Sequence, residues 1–298
     1  DVPFGRDMPF GRDGLRPTTP NLKGLLMKIP FTKMHGLGND YIYIDCFKTP
    51  VETLPDLSTL AARLSCRRFS VGADGLVLIL PSDKATARMR MFNADGSEGL
   101  MCGNAIRCVG KYLYERGLIS PDTREITVET GSGIRSLSLS VRDGVVHSVT
   151  VDMGVVEVSE EITVQTAGKH YRLIPVSVGN PHWVCFVEDL AAVDVVSEGA
   201  FLSSAPEGGV NVEFVEAVDE TTLRMRVFER GSGVTLACGT GACASVAAAV
   251  SRGICPPDTP ITVLLDGGVL TVIHSEGGTT YMLGGAEFAF DGVWEGEI

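Results

Sequence analysis

Two cysteines occupy corresponding positions in the sequence, each directly before a glycine and at the start of a predicted helix. Cys102 precedes Gly103-Asn104, and Cys238 precedes Gly239-Thr240. The first turn of a helix leaves backbone N–H groups without partners, and these groups and the helix dipole favour negative charge. We therefore expect each thiol to have a lowered pKa, and we expect the neighbouring N–H groups to be able to bind a substrate carboxylate.

Two thiols in related positions suit a reaction that inverts a stereocentre by proton exchange. Such a reaction needs a base on one face of the carbon and an acid on the other, and a thiolate and a thiol can exchange these roles. Two helix N-termini beside the α-carboxylate can stabilise the carbanion-like transition state. The predicted chemistry therefore requires neither a metal ion nor an organic cofactor such as pyridoxal phosphate. An alternative from another class is a redox sensor in which Cys102 and Cys238 form a reversible disulfide.

An internal repeat relates the two cysteines to each other. The segment Arg88-Met89-Arg90-Met91-Phe92 recurs as Arg224-Met225-Arg226-Val227-Phe228, an offset of 136 residues. The same offset carries Cys102 onto Cys238. A looser match, at an offset of 141, links Gly38-Asn39-Asp40-Tyr41 with Gly179-Asn180-Pro181-His182. We therefore expect two homologous halves.

The elements that must position these residues follow an α+β pattern in which strands outnumber helices. Eight β-rich runs are bounded by Gly, Pro or Asp, at 41–46, 76–80, 126–129, 145–151, 183–187, 212–215, 261–265 and 270–274. Two helices are predicted at 104–115 and 241–250, and Gly117 and Gly253 are expected to end them. The second helix is apolar on every face, which indicates burial inside a curved sheet. The predicted fold is two pseudo-symmetric halves, each a mixed β-sheet curved around a central helix.

The composition excludes several classes of partner. The 298 residues include 25 Lys and Arg against 37 Asp and Glu, a net charge of −12. This charge argues against nucleic acid or an acidic membrane surface as a partner. No apolar run reaches the length of about 18 residues that a membrane span needs. The eight cysteines are spread through the chain, which favours a reducing, cytoplasmic setting.

The motifs together resemble one known family. They are Lys33-Met34-His35-Gly36-Leu37-Gly38-Asn39-Asp40-Tyr41, Phe92-Asn93-Ala94-Asp95-Gly96-Ser97-Glu98, Cys102-Gly103-Asn104, Gly179-Asn180-Pro181-His182 and Glu229-Arg230-Gly231-Ser232-Gly233, with Ala237-Cys238-Gly239-Thr240-Gly241 following. In type, order and spacing they closely resemble the diaminopimelate epimerase family. The resemblance runs from about Met27 to the C-terminus.

The resemblance implies a function and an assembly. It implies an isomerase that converts LL- to meso-2,6-diaminopimelate without a cofactor, in lysine and peptidoglycan biosynthesis, and that forms a homodimer. Cys102 and Cys238 match the catalytic acid and base thiols of the family. The reacting α-carboxylate is expected on the N–H groups of Gly103-Asn104 and Gly239-Thr240.

The resemblance also implies which residues bind the rest of the substrate. Side chains that match positions holding the ammonium groups and the distal carboxylate are Asn39, Asn93, Asn180, Asn211, Glu229 and Arg230. Asn offers both a donor and an acceptor, and Arg can bind a carboxylate in bidentate fashion. His182 and Glu229 match side chains that assist the thiols. Gly75 stands where certain relatives carry a Gln that touches substrate, so we expect a backbone group or water to replace that contact.

The expected domain organisation has three parts. Residues 1–26 contain a short direct repeat and no hydrophobic periodicity, and we expect a disordered extension or an artificially appended tail. The first half is expected at 27–146 and the second at 147–285. The resemblance implies that a final strand, within 286–298, returns to the first half.

Two predictions concern specificity and the other thiols. A second racemase of the same fold, acting on proline-like substrates, remains an alternative, although such a substrate would leave Arg230 and the asparagines unpaired. The six remaining cysteines are predicted to be small core residues: Cys46, Cys66, Cys108, Cys185, Cys243 and Cys255.

Overall fold

The computed structural model describes residues 26–166 and 168–297, so that all but the last residue of the expected extension at 1–26 lies outside the described residues. The described ranges contain four α-helices, α1 (Leu57–Ser65), α2 (Gly103–Glu115), α3 (Val195–Ser204) and α4 (Gly239–Ser251). None of these helices has the length and apolar character needed to cross a membrane.

The strands of the first half form one mixed sheet. They are β1 (Met27–Gly36), β2 (Asn39–Asp45), β3 (Gly75–Leu80), β4 (Ala87–Asn93), β5 (Glu98–Gly99), β6 (Glu125–Thr130), β7 (Gly133–Arg142) and β8 (Val145–Val155). The pair β1 and β2 is antiparallel, β2 and β3 are parallel, and β3 and β4 are antiparallel. The sheet continues with β4 parallel to β6, and then with β7 and β8, both antiparallel to their predecessors.

The second half repeats this order of pairings. Its strands are β9 (Glu157–Val158), β10 (Ile162–Thr166), β11 (Lys169–Ser177), β12 (Pro181–Phe186), β13 (Asn211–Asp219), β14 (Thr222–Glu229), β15 (Gly233–Thr235), β16 (Ile261–Leu265), β17 (Gly268–His274) and β18 (Thr279–Gly284). The pairs β12/β13 and β14/β16 are parallel, as β2/β3 and β4/β6 are. The same alternation in both halves is the structural form of the sequence repeat.

Strands exchanged between the halves join them. The last strand, β19 (Glu287–Gly296), is antiparallel to β1. A second connection is the antiparallel pair of β8 and β18. The expected boundary between residues 146 and 147 falls within β8, which pairs with β7 on one side and β18 on the other.

The two central helices are enclosed by the sheets. Helix α2 is buried from Gly103 to Leu113, and α4 is buried along nearly its whole length. Helix α4 packs against strands from β9 to β18 around it. Its Ala-rich sequence favours the helix and leaves no large side chain to pack. The predicted α+β fold, with a curved mixed sheet around a central helix in each half, is confirmed.

The outer helices α1 and α3 were not predicted. Helix α1 begins after Asp56, whose carboxylate accepts from the N–H of Thr59 at 2.9 Å, and α3 begins after Asp194 in the same way. Each packs its apolar side on the outer face of its own sheet. Because only a few apolar residues of each helix meet the sheet, the periodic signal is short.

Five of the six additional cysteines are buried, as predicted. The prediction is wrong for Cys66, which is exposed because it follows the last turn of α1 at the surface of the first half.

Candidate active site

The N-termini of the two central helices meet each other. A Cβ at Gly239 would lie 3.6 Å from the Cα of Gly103, and one at Gly103 would lie 3.8 Å from the Cα of Gly239. Met282 packs on both, since its Sδ would lie 2.8 Å from a Cβ at Gly239 and its Cε 2.9 Å from one at Gly103. Glycine at both positions therefore allows two sets of free helix N–H groups to approach one point.

Asn104 connects the two helix starts. Its side-chain Nδ2 donates to Asn39 Oδ1 in the first half and to the carbonyl of Ala237 in the second, both at 3.2 Å. Its Oδ1 accepts from the buried guanidinium of Arg107 at 2.9 Å. Because the side chain is fully engaged, only the backbone N–H of Asn104 is available for the expected contact with a carboxylate.

Cys102 is the residue directly before the first turn of α2. Its Sγ lies 3.5 Å from Asn39 Oδ1 and is faced by the N–H groups of Asn104 and Ala105. Burial raises the pKa of the thiol, and the two N–H groups act in the opposite direction but do not outweigh it.

Cys238 holds the same position before α4. Its Sγ accepts from the N–H of Gly241 at 3.4 Å and lies 3.5 Å from Thr240 Oγ1. Burial raises the pKa of this thiol well above its usual range, and the charges of Glu229 and Glu213 raise it further. The predicted lowering of both thiol pKa values is therefore wrong, because removal from water outweighs the helix N-terminus.

Glu229 lies beside Cys238 and is suited to accept its proton. Burial raises the pKa of the Glu229 carboxyl above the ordinary value, although hydrogen bonds from Thr235 and Cys238 act in the opposite direction. Burial thus raises the pKa of both the Glu229 carboxyl and the Cys238 thiol.

His182 is fully buried in the second half. Its Nδ1 lies 2.7 Å from Glu213 Oε1, and its Nε2 lies 3.1 Å from Asn180 Oδ1. Asn180 Nδ2 donates to Thr240 Oγ1 at 3.5 Å, next to the Cys238 sulfur. Sequence reasoning did not single out Glu213, although a Glu within an otherwise apolar run, Val212 to Val215, was an available signal.

The remaining predicted binding residues lie at strand ends. Asn211 Oδ1 accepts from the backbone N–H of Arg230 at 2.8 Å, and the exposed Arg230 side chain donates to the carbonyl of Gly208 at 2.9 Å. Asn93 is exposed at the end of β4, where its Nδ2 donates to Ser97 Oγ. The structure thus brings Asn211 and Arg230 together, whereas the side chain of Asn93 bonds to Ser97 in the turn that follows β4.

Gly75 is required by close packing. It pairs with Asn93 across β3 and β4, and a Cβ there would lie 2.0 Å from the carbonyl oxygen of Phe92 and 2.8 Å from the ring of Tyr41. The backbone as it stands has no room for a Gln at this position. That a backbone group or water makes the corresponding substrate contact stays a prediction.

Solved structures share this fold. A hydroxyproline epimerase from Agrobacterium vitis has a TM-score of 0.74 at 19% identity and covers 91% of this chain and 93% of its own. The Bacillus anthracis phenazine biosynthesis protein of the PhzF family has a TM-score of 0.71 at 17% identity, covering 91% of this chain and 100% of its own. The protein thus has the duplicated α+β fold found in these proteins, here with a cysteine before each central helix.

Sequence comparison defines the family. A family model described as diaminopimelate epimerase matches residues 31–159 and 174–289. A diaminopimelate epimerase from Acetivibrio thermocellus is 46% identical over 278 residues, 88% of this chain and 97% of its own. The corresponding protein from Pelotomaculum thermopropionicum is 47% identical over 279 residues, 89% of this chain and 98% of its own. The chain belongs to the diaminopimelate epimerase family, as its motifs predicted.

Proposed function

We propose that this protein is an isomerase that converts LL- to meso-2,6-diaminopimelate with one thiol as base and the other as acid. The observation that carries the proposal is the meeting of two helix N-termini, each preceded by a cysteine, at Gly103 and Gly239. Family membership indicates which substrate to expect, since the relatives are named diaminopimelate epimerase.

The reaction moves one proton off the α-carbon and returns another on the opposite face. One thiol first loses its proton and then abstracts the α-hydrogen as thiolate, while the other thiol donates its proton to the opposite face of the carbanion. Each turnover therefore exchanges the protonation states of Cys102 and Cys238. The N–H groups at the two helix starts stabilise the negative charge that spreads into the α-carboxylate.

Because the pKa of both thiols is raised, the site needs a group that accepts the proton of the thiol that acts as base. A thiol whose pKa is raised becomes a base only when a neighbouring group takes its proton. Glu229 is the acceptor next to Cys238, and the raised pKa of its carboxyl makes it a better match for a thiol than an ordinary Glu. Burial meanwhile favours the neutral form of the thiol that acts as acid.

The rest of the substrate is recognised by polar groups at the strand ends. Diaminopimelate carries two carboxylates and two ammonium groups, so placed hydrogen bonds decide its binding. Asn180, Asn211 and Arg230 lie at the second half's side of the site, and Asn39 lies at the first half's side. A site of this kind discriminates strongly against a substrate that leaves such groups unpaired, as proline would.

We extend the proposal to the location, the oligomeric state and the pathway of the enzyme. The enzyme acts in the cytoplasm as a homodimer and supplies meso-diaminopimelate to lysine and peptidoglycan biosynthesis, with no metal and no pyridoxal phosphate. The homodimer rests on the family resemblance alone, and light scattering on the purified chain tests it.

The activity is tested with purified protein and LL-diaminopimelate, with the meso product separated by chiral chromatography. Wild-type protein should form meso-diaminopimelate and should leave L-proline and trans-4-hydroxy-L-proline unchanged. Cys102→Ala and Cys238→Ala should each abolish conversion. The matched controls Cys108→Ala and Cys243→Ala remove buried thiols from the same two helices and should keep activity. Turnover of proline in place of diaminopimelate, or full activity of either site variant, would contradict the proposal.

A further inference from the structure

The buried hydrogen-bond partner of His182 is a residue to which the predicted catalytic mechanism assigns no role. Glu213 lies on β13, and its side chain and that of His182 are both fully buried. Glu213 Oε1 lies 2.7 Å from His182 Nδ1. The second carboxylate oxygen, Oε2, is buried and has no hydrogen-bond partner among the described residues. Burying a carboxylate with one oxygen unpaired costs free energy, so the group needs an explanation.

The internal repeat shows what the fold requires at this position. Glu213 is paired with Val227 across β13 and β14, and at the offset of 136 residues the corresponding pair in the first half is Val77 with Met91. Val77 is fully buried and apolar. Since the same place in the same fold is filled by valine, the sheet does not need a carboxylate there. Apolar replacement of a buried ion pair is often neutral or stabilising.

Two further positions next to Glu213 also differ between the two halves. His182 is paired with Asn211 across β12 and β13, and the first-half equivalent is Tyr41, paired with Gly75. At the start of α4, a Cβ on Gly241 would lie 2.7 Å from Glu213 Oε1, whereas the residue 136 positions earlier is Ala105. Glycine at 241 therefore makes room for the carboxylate. The second half thus holds a fitted site for an acid and a histidine where the first half has apolar packing and a tyrosine.

We propose that Glu213 is a positioning residue of the epimerisation, which holds the Nδ1 proton of His182 and thereby aims Nε2 at Asn180 and the Cys238 side of the site. The inference rests on the proposed two-thiol function. A carboxylate at one ring nitrogen fixes the tautomer and the orientation of the imidazole. It also stabilises the imidazolium, in which Nε2–H donates to Asn180 Oδ1, an atom that can only accept. The contact chain runs from His182 through Asn180 to Thr240, whose hydroxyl touches the Cys238 sulfur.

The charge of Glu213 also acts on the groups around it. The titratable groups that face it are His182 on β12, Glu229 on β14 and Cys238 on α4. Its negative charge raises the pKa of both Glu229 and Cys238. Removing the charge should lower both pKa values, so that the pH profile of kcat moves to lower pH. A residue with a purely structural role would not produce this shift.

The test is Glu213→Gln, which keeps an oxygen for Nδ1 but removes the charge, measured with LL-diaminopimelate as substrate. We expect kcat to fall by about 10–100-fold, as for other residues that orient a reacting group, with KM nearly unchanged and the pH profile shifted to lower pH. The matched control is Glu198→Gln, which removes a largely buried carboxylate that accepts from Tyr171 on the outer face of the second half. It should leave kcat and the profile unchanged.

A double-variant cycle separates action through His182 from an independent effect. In a His182→Gln background, Glu213→Gln should cause little further loss of kcat, because the group that Glu213 orients is gone. Equal losses in both backgrounds would overturn the proposal, as would wild-type kcat and an unshifted profile in Glu213→Gln. Failure of Glu213→Gln to fold would also overturn it, since the fold would then need the carboxylate. If wild-type protein does not epimerise diaminopimelate, the proposed function is refuted instead, because the double-variant cycle then has no kcat to compare.

Discussion

The contact between the two helix N-termini leads to a quantitative prediction for Gly239→Ala. The added Cβ would lie 2.8 Å from Met282 Sδ, well inside the ordinary separation of about 3.5–4.0 Å for such atoms. Overpacking of this kind costs about 1–3 kcal/mol, and alanine in a helix offsets about 0.5–1 kcal/mol of it. We expect a net loss of about 0–2.5 kcal/mol in the free energy of unfolding, and each kcal/mol should lower Tm by about 2–4 °C.

In Gly239→Ala we also expect a loss of kcat that reduced stability does not explain. Met282 is fully buried and also contacts Arg107, so part of the strain should be relieved by moving α4 away from Gly103. Misplacement by about 1 Å can reduce turnover by about 100-fold. We therefore expect kcat for the epimerisation to fall by about 10–100-fold at a temperature where the variant is fully folded.

Thermal unfolding and steady-state kinetics on four variants, including Met282→Leu alone, test this reasoning. Gly277→Ala is the matched control, because a Cβ there meets nothing closer than Ser275 Oγ at 3.9 Å. Met282→Leu combined with Gly239→Ala removes the atoms that clash and should recover part of both losses, giving a non-additive cycle. If Gly239→Ala has wild-type kcat, the close approach of the two helix starts does not contribute to catalysis.

Three further predictions follow from burial in the site. Because burial raises the pKa of Cys102 and Cys238, iodoacetamide at neutral pH should alkylate the exposed Cys66 first, as peptide mass spectrometry would reveal; faster labelling of either site thiol would contradict this. Burial also raises the pKa of Glu229, so the acid limb of the pH profile of kcat/KM should lie above the usual range of a glutamate and should disappear in Glu229→Gln. Asn104→Ala removes three hydrogen bonds and leaves a buried donor of a guanidinium unpaired, and urea unfolding should show a loss of about 2–4 kcal/mol in the free energy of unfolding. A loss below about 0.5 kcal/mol would mean that the hydrogen bonds of Asn104 between the two helix starts do not stabilise the fold.

Local sequence patterns predicted part of the repeating fold, although β4 and β14, the strands that carry the repeated segment, were not among the predicted strands. The offset of 136 residues identified the two halves, and the positions of Cys102 and Cys238 before the central helices followed from glycine and the helix pattern. The eight predicted strands all occur in the structure, because alternating apolar residues and turn residues are local signals.

The electrostatics of the site could not be derived from those patterns. The thiol pKa values depend on how much water the fold excludes, and no spacing in the sequence measures that. For the same reason Glu213 was missed, since its importance comes from burial against His182 on a neighbouring strand. Gly75 is a third example, because the atom that excludes a side chain there belongs to Phe92 on β4.

The most direct test of two-base catalysis by Cys102 and Cys238 is the position of deuterium after brief reaction of LL-diaminopimelate in deuterated water. A thiol on each face should deliver a solvent-derived deuteron to the inverted carbon, so that the first meso product carries deuterium and the recovered LL substrate does not. Equal deuterium in substrate and product from the start would indicate one base acting on both faces. That result would contradict the two-thiol account.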